Sequence, residues 1–219
     1  SNFCSTEKKL IIAISSNRGL CGGFNANIFK RGKKEAQKNT DVFCIGKKAA
    51  EQFSRTNSSI ITKEIELLEN PTPLACKEIS KKIIEEFSQG KWSQVQIIYN
   101  KFKNAATQTI ESKQILPILI DKEDYSKNIN IRKDYVFEPS KTQIINTLIP
   151  QQIHTQLFEA VLNSIASEHG ARMTAMHKAT DNAQDLKDSL TLTYNRQRQA
   201  AITNEILEIV AGAEALKTS

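Results

Sequence analysis

The sequence contains no apolar run that approaches the ~20 residues of a membrane-spanning helix, which predicts a protein that is soluble or at most peripheral to a membrane. It also lacks the charged start, apolar core and cleavage site of a secretory signal. Because it starts at Ser-Asn rather than at Met, we expect a chain that has been processed or cut.

Cysteine and histidine are too scattered for a metal or redox motif. The four cysteines, at positions 4, 21, 44 and 76, form no Cys-x-x-Cys pair and have no histidine close by in sequence, whereas zinc sites and dithiol motifs need such spacing. We therefore expect reduced, solitary thiols and no metal or other cofactor.

Aromatic residues make up only 6% of the chain, and no recognition helix or RNA-binding module is visible. The net charge of +6 is concentrated in the first fifty residues, where ten lysines and arginines stand against three acids. A local basic patch is typical of proteins that contact nucleic acid, anionic lipid or an acidic protein. The missing aromatic and module signals make nucleic acid the weakest of these three partners, and we expect none.

The first half of the sequence alternates strand-like and helix-like segments. Residues 9–15 form a β-rich apolar run, followed by a Gly-rich turn and a helical stretch over residues 25–38. The same patterns predict strands at 41–45, 59–64, 95–102 and 109–118, and helices at 47–54 and 73–90. Interleaved strands and helices favour a Rossmann-like α/β domain with a mostly parallel sheet, and the last two strands favour an antiparallel hairpin at its edge.

After Pro139 the pattern changes. From residue 151 to 219 there is no proline and there are only two glycines, Gly170 and Gly212, while apolar residues recur with a period near 3.6. An unbroken helix of about 65 residues is roughly 100 Å long and needs a coiled-coil partner, a repeat architecture or an enclosing assembly. We therefore predict an α/β domain over residues 1–139 and a very long helix over residues 140–219.

The Gly-rich turn at residues 19–23 lies between a strand and a helix, where a phosphate-binding loop would be. It has neither Gly-x-Gly-x-x-Gly nor Gly-Lys-Ser/Thr spacing, and no acid ends the second strand. We interpret it as a structural tight turn in which Gly22 or Gly23 has positive φ or closely contacts the adjacent strand. Cys21 lies near Arg18 but has no histidine base nearby, so a buried structural cysteine is expected.

Polar residues on the long helix superficially resemble a catalytic or metal site. His169 and His177 are eight residues apart, and Asp181, Asp185 and Asp188 repeat at helical spacing. Two histidines without a third ligand do not form a metal site, and a solvated face is the expected role of the acids. No nucleophile, base and oxyanion donor combine in the sequence, so we expect no bond chemistry.

Two segments resemble the gamma subunit family of F-type ATP synthases. Residues 16–25, Ser-Asn-Arg-Gly-Leu-Cys-Gly-Gly-Phe-Asn, resemble that family's turn after a strand, and residues 202–215, Ile-Thr-Asn-Glu-Ile-Leu-Glu-Ile-Val-Ala-Gly-Ala-Glu-Ala, resemble its C-terminal signature. Residues 166–176, 179–183 and 190–201 are similar to the same family, so the resemblance covers nearly the whole chain.

The resemblance implies a non-catalytic rotor shaft on an energy-transducing membrane, on the bacterial cytoplasmic or mitochondrial matrix side. Proton flow turns a membrane c-ring and the shaft, and the shaft's changing face shifts the catalytic beta subunits, which alternate with alpha subunits, between conformations. The family's long C-terminal helix forms one half of an antiparallel coiled coil with an N-terminal helix. Because family members start with tens of residues that this sequence lacks, we expect that N-terminal helix to be missing from it.

The resemblance also implies partner-binding residues. Arg198, Gln199 and Thr203 are expected to meet the acidic catch loops of the catalytic beta subunits, since a planar guanidinium suits a bidentate carboxylate. Glu205 in the same signature is expected to be a further partner-binding residue. The tip at residues 209–216 resembles the part of the shaft that turns inside a hydrophobic sleeve.

A second set of partner contacts is implied at the other end of the shaft. Phe137 and Glu138, within the segment Tyr-Val-Phe-Glu-Pro, resemble the foot that meets the c-ring and the small epsilon-type subunit, called delta in mitochondria.

Two rival functions remain open at the level of the sequence. A nucleotide- or flavin-binding Rossmann-like enzyme with a coiled-coil extension would retain nucleotide at micromolar concentration in equilibrium dialysis. A coiled-coil adaptor or nucleic-acid binder that uses the basic first fifty residues would show salt-dependent association with DNA or RNA.

Overall fold

The computed structural model describes residues 8–36, 39–56, 59–118, 137–138 and 140–217. Strands and helices alternate along the first part of the chain, and one long helix follows. The elements are β1 (Lys9–Ile14), α1 (Phe24–Glu35), β2 (Thr40–Ile45), α2 (Lys47–Phe53), β3 (Ser59–Glu64), a short 3₁₀ helix (Glu66–Leu68), α3 (Pro73–Ser88), β4 (Gln94–Phe102), β5 (Gln108–Leu116) and α4 (Lys141–Lys217).

The strands of the described ranges form one mixed sheet in the order β3-β2-β1-β4-β5. β1 pairs in parallel with β2 and β4, β2 pairs in parallel with β3, and β5 runs antiparallel to β4. This topology and the long α4 confirm the predicted fold class. Parallel neighbours need long crossover connections, whereas an antiparallel pair needs only a short turn, which is why the helices stop alternating with strands at β4.

Local signals explain where α3 begins and ends. α3 starts at Pro73, a position where the missing N–H of proline is harmless, and the Thr72 hydroxyl accepts a hydrogen bond from Ala75 N at 3.3 Å. It ends just before Gly90, whose φ of +80° suits a residue without Cβ. α4 includes Pro150, so the helix extends N-terminally beyond the proline-free stretch at 151–219.

The central strands are buried on both faces because helices cover both sides of the sheet. Residues of β1 alternate between the faces with period two, and Leu10 to Ile14 are all at most 1% exposed. The even-numbered side chains pack with residues of α3 and α4, and the odd-numbered ones pack with residues of α1 and α2. This double coverage explains why β1 is a continuous apolar run rather than an alternating one.

The N-terminal part of α4 packs on the sheet face that α3 also covers. Ile153, Leu157, Ala160 and Val161 are at most 3% exposed, and their spacing places them on one face of the helix. One compact unit of the structure ends at Thr174 and a second begins at Ala175, so this part of α4 belongs to the sheet unit. No helix in the described ranges is both long and apolar enough to cross a membrane.

A polar contact joins α3 to α4 within this apolar layer. Ser80, which is 1% exposed, donates a hydrogen bond to Cys76 O at 2.7 Å, and its Oγ is in close contact with Nδ1 of His154. Burial lowers the pKa of His154, and the nearby positive charge of Lys77 lowers it further.

The depressed pKa of His154 predicts a pH-dependent stability. The unfolded chain takes up a proton near the ordinary histidine pKa of about 6.5, while the folded chain stays neutral there, so acidification favours the unfolded state. The free energy of unfolding should therefore fall as pH drops below about 6.5 and until the folded pKa is reached. Urea titrations between pH 7.5 and pH 5 measure this slope; a His154→Gln variant with the same slope as the natural chain would contradict the assignment.

Candidate functional site

The side chain of Asn25, in the first turn of α1, fills the turn between β1 and α1. The Asn25 carboxamide accepts a hydrogen bond from Ser16 N at 3.0 Å and donates to Ser16 Oγ at 2.7 Å and to Cys21 Sγ at 3.2 Å. This side chain therefore stabilises the turn from inside. Gly22 has φ of +57°, in agreement with the prediction that a glycine of this turn serves the backbone.

Gly22→Val should destabilise the sheet unit by about 1–3 kcal/mol, because a β-branched residue is strained at positive φ. Chemical unfolding followed by circular dichroism measures the change. Gly23, with φ of −80°, is the matched control: Gly23→Ala needs no left-handed backbone and should cost less. Equal unfolding midpoints for the Gly22→Val chain and the natural chain would contradict this interpretation.

The buried thiols of Cys44 and Cys76 are unreactive as nucleophiles. Cys21, Cys44 and Cys76 are buried and unpaired. Burial raises the pKa of Cys44 to about 12 and that of Cys76 to about 11, so both remain protonated at neutral pH and are poor nucleophiles.

A cavity of about 400 Å³ lies near the residues that follow β1. Its charged lining mixes both signs, with Arg18 and Arg172 against Glu69 and Glu168. Arg172 donates to Glu168 at 2.7 Å, so its charge is already neutralised within the chain. The lining residues are Asn17, Arg18, Leu68, Glu69, Ile165, Glu168, His169 and Arg172.

The distal helix, residues 175–217 of α4, presents its apolar side chains to solvent. From residue 176 to residue 216 every side chain is exposed. The large apolar side chains at helical spacing are between 44% and 71% exposed, and we call them the distal stripe: Leu186, Leu190, Tyr194, Ile202, Ile206 and Ile209. Exposed apolar side chains along a helix are typical of a helix that packs against other chain segments.

The four signature residues of the distal helix are all exposed. Arg198 and Glu205, seven residues apart, share one face, and Gln199 and Thr203, four apart, share a neighbouring face. The Thr203 hydroxyl donates to Gln199 O at 2.9 Å, so this residue presents mainly its methyl group. Arg198 and Glu205 have no ion pair within the part of the chain that the structure describes.

The two foot residues lie just ahead of α4. Phe137 is 46% exposed, Glu138 is exposed as well, and the Lys141 ammonium lies 5.9 Å from the centre of the Phe137 ring. Tyr135, Val136 and Pro139 of the same segment lie outside the described residues.

The histidine and aspartate pattern of α4 does not assemble a metal site in the described residues. His177 Nδ1 lies 3.5 Å from Asp181 Oδ2, and both side chains are largely exposed. His169 lines the cavity near β1 instead. The histidines that share a helix are thus engaged in separate local contacts.

Comparison with known proteins identifies the family. A family model described as ATP synthase matches residues 2–216. The ATP synthase gamma chain of Flavobacterium psychrophilum is 50% identical over 215 residues, which cover 96% of this chain and 74% of that relative. The corresponding chain of Pelagibacter ubique is 41% identical over 215 residues and covers 94% and 73%. This chain belongs to the ATP synthase gamma chain family.

Solved structures agree with this gamma-chain fold. A chain of the mitochondrial ATP synthase of Euglena gracilis, solved as OSCP/F1/c-ring, has a TM-score of 0.73 at 22% identity over 96% of this chain and 73% of that one. A chain of the Tetrahymena thermophila central stalk and c-ring has a TM-score of 0.61 at 25% identity over 81% of this chain and 80% of that one. The protein is the gamma subunit, the rotor of the central stalk, and the alternative of a nucleotide- or flavin-binding enzyme has no support.

The structure also shows contacts of the gamma chain that its sequence did not reveal. The turn between β4 and β5 approaches α4 closely at Gly170, where an added Cβ would lie 3.0 Å from Ala105 O. A signal was present in the sequence, since Ser164, Ser167 and Gly170 repeat every three residues as small side chains on one face.

Proposed function

We propose that this gamma chain is a non-catalytic shaft that converts rotation of a membrane ring into conformational change in catalytic beta subunits. The observation that carries the proposal is the continuous exposure of the distal helix, apolar side chains included. Rotation shifts a conformational equilibrium only through contacts that differ between orientations. A helix with chemically different faces provides such contacts as it turns.

The distal stripe supports pairing with a second helix in the assembled enzyme. Each Leu or Ile side chain that leaves water contributes about 1.5–3 kcal/mol, so burial of the stripe is a large stabilisation relative to the ~5–15 kcal/mol of a whole domain. We propose an antiparallel coiled coil, with α4 as one half and a helix outside the described residues as the other. The functional division is then an α/β domain at residues 1–139 and a shaft at residues 140–219.

The partners we propose are the alpha and beta subunits of the catalytic head and the c-ring. Support comes from the central-stalk and F1/c-ring assemblies in which the structurally similar chains were solved. The exposed ring of Phe137 and the carboxylate of Glu138 fit a foot that contacts the c-ring and an epsilon-type subunit. The chain would then be peripheral on an energy-transducing membrane, on the bacterial cytoplasmic or mitochondrial matrix side.

Arg198, Gln199 and Thr203 are proposed to contact the acidic catch loops of the beta subunits, and Glu205 is proposed as a further partner-binding residue. Arg198 has no intramolecular ion pair among the described residues, so its guanidinium is available to a partner carboxylate. Hydrogen bonds to charged groups contribute about 1.5–3 kcal/mol each, which is enough to favour one rotor orientation over another.

Arg198→Ala combined with Gln199→Ala should lower ATP-driven proton pumping of the reconstituted complex several-fold while the isolated α/β domain stays folded. The chain offers a matched control, because Arg196 and Gln197 have the same residue types on other faces of the same turns. Pumping is measured by fluorescence quenching in vesicles. Unchanged pumping, or an equal fall in the Arg196→Ala, Gln197→Ala control, would exclude these two residues as the contact.

A further inference from the structure

We propose that the turn between β4 and β5, residues 103–107, is a collar that fixes the part of α4 up to Thr174 against rotation about its own axis relative to the sheet. This inference rests on the proposed rotor function. A helix transmits torque from its domain only if the last contact with that domain resists rotation, and purely apolar contacts have no directional preference. Directional contacts are therefore needed to hold α4 before the distal helix begins.

The tightest of these contacts is at Gly170. A Cβ added there would lie 3.0 Å from Ala105 O and 3.2 Å from Ala105 Cα, so a side chain at this position would force the two backbones apart by a few tenths of an ångström. One helical turn further, the Thr174 hydroxyl lies 3.2 Å from Ala105 O and 3.0 Å from Gly170 O. Its single proton is thus shared between the collar and the helix backbone.

Hydrogen bonds within the collar stabilise its conformation. The Asn104 side chain accepts hydrogen bonds from Ala106 N at 3.1 Å and from Thr107 N at 2.7 Å, an arrangement that stabilises tight turns. Gln108 Nε2 donates to Ala105 O at 2.9 Å. Ala105 O is therefore held in place by the turn itself and offers the helix a fixed acceptor.

Further polar contacts continue along the same side of α4. The Ser167 hydroxyl donates to Asn100 O at 3.0 Å, and both residues are buried. Phe102 N donates to Asn163 Oδ1 at 3.4 Å. Together with Gly170 and Thr174, these contacts attach successive turns of the helix to β4 and the collar.

The opposite side of the helix is held as well. Arg172 is two residues from Gly170 and points roughly the other way around the helix. Its guanidinium donates to Glu168 at 2.7 Å and to Gly19 O at 3.4 Å, in the turn that follows β1. The helix is thus held on two sides, by the collar and by the turn that follows β1. The sheet unit to which both turns belong ends at Thr174.

The first test removes the contacts of Thr174 and Gly170 with the collar in the reconstituted complex. Thr174→Val deletes the hydroxyl contact with little change in volume, and Gly170→Val forces the collar away from the helix. We expect ATP hydrolysis to continue while protons pumped per ATP fall at least twofold. Thr180→Val is the matched control, because the Thr180 hydroxyl bonds only to Met176 O in its own helix among the described residues. Full pumping per ATP in both collar variants would overturn the proposal.

The second test replaces the hydroxyl contact by a covalent bond. In a chain with Ala105→Cys and Thr174→Cys, the reduced form should pump few protons per ATP. Oxidation to the disulfide should restore the number of protons pumped per ATP, because the collar and the helix do not move relative to each other during turnover. A disulfide that blocks pumping would overturn the proposal. If the natural chain supports no pumping, the rotor function fails; if it pumps and the variants pump equally, only the collar fails.

Discussion

Replacement of Gly46 by alanine should destabilise the sheet unit by more than about 3 kcal/mol, a large effect for a single added methyl group. Gly46 has φ of +100°, and a Cβ there would lie 2.4 Å from Ser15 O and 2.9 Å from Leu68 Cδ1. Backbone strain at such a φ contributes about 1–3 kcal/mol, and the overlap with a strand carbonyl adds to it.

The surroundings of Gly46 cannot easily relax. Gly46 N donates to Glu64 O at 2.7 Å, Ser15 N donates to Ile45 O at 2.8 Å, and the Ser15 hydroxyl accepts from Ala49 N at 2.7 Å. Movement of Ser15 would therefore disturb the junction of β1, β2 and α2 together.

Urea unfolding followed by circular dichroism tests this expectation. Gly19→Ala is the matched control, because no atom lies within 4 Å of an added Cβ there, and its change should stay within about 0.5 kcal/mol. If Gly46→Ala and Gly19→Ala unfold at the same urea concentration, close backbone approach is not what requires glycine at position 46.

The isolated chain should self-associate through the distal stripe at tens of micromolar. Leu186, Leu190 and Ile206 are 55–61% exposed, and burial of each contributes about 1.5–3 kcal/mol. A lone helix gains little from propensity alone, so association and helix content should rise together. Sedimentation velocity and circular dichroism over a concentration series measure both.

Leu190→Glu combined with Ile206→Glu should shift the chain towards monomer and reduce its helix content. The matched control adds the same two negative charges at exposed polar positions outside the distal stripe, with Ser189→Glu and Asn195→Glu. A natural chain that stays monomeric at these concentrations with full helicity through Leu216 would exclude a stripe that requires a partner.

Much of this architecture was predictable from local pattern. The apolar run of β1, the period of α4 and the proline start of α3 are signals carried by neighbouring residues, and their physical basis is local: alternation, helical spacing and capping. The signature at residues 202–215 pointed to the gamma family because a specific order of residue types is independent of how the chain folds back on itself.

Contacts between distant segments required the tertiary structure. A helix from residue 140 was predicted and α4 begins at Lys141, but only the structure shows that the segment around Leu157 packs on the sheet. The sequence also gives no reason to connect His154 with Ser80, because this pair meets only after α3 and α4 have been brought together on the sheet.

The sequence by itself determined the secondary-structure pattern, the family and the absence of a recognisable catalytic motif. Only the tertiary structure decided that Gly46 and Gly170 lie against carbonyl oxygens of Ser15 and Ala105, and that the distal stripe has no buried residue among those described. The physical reason is that local propensities depend on neighbours in the chain, whereas close backbone approach and burial depend on long-range packing, which differs between sequences with the same local pattern.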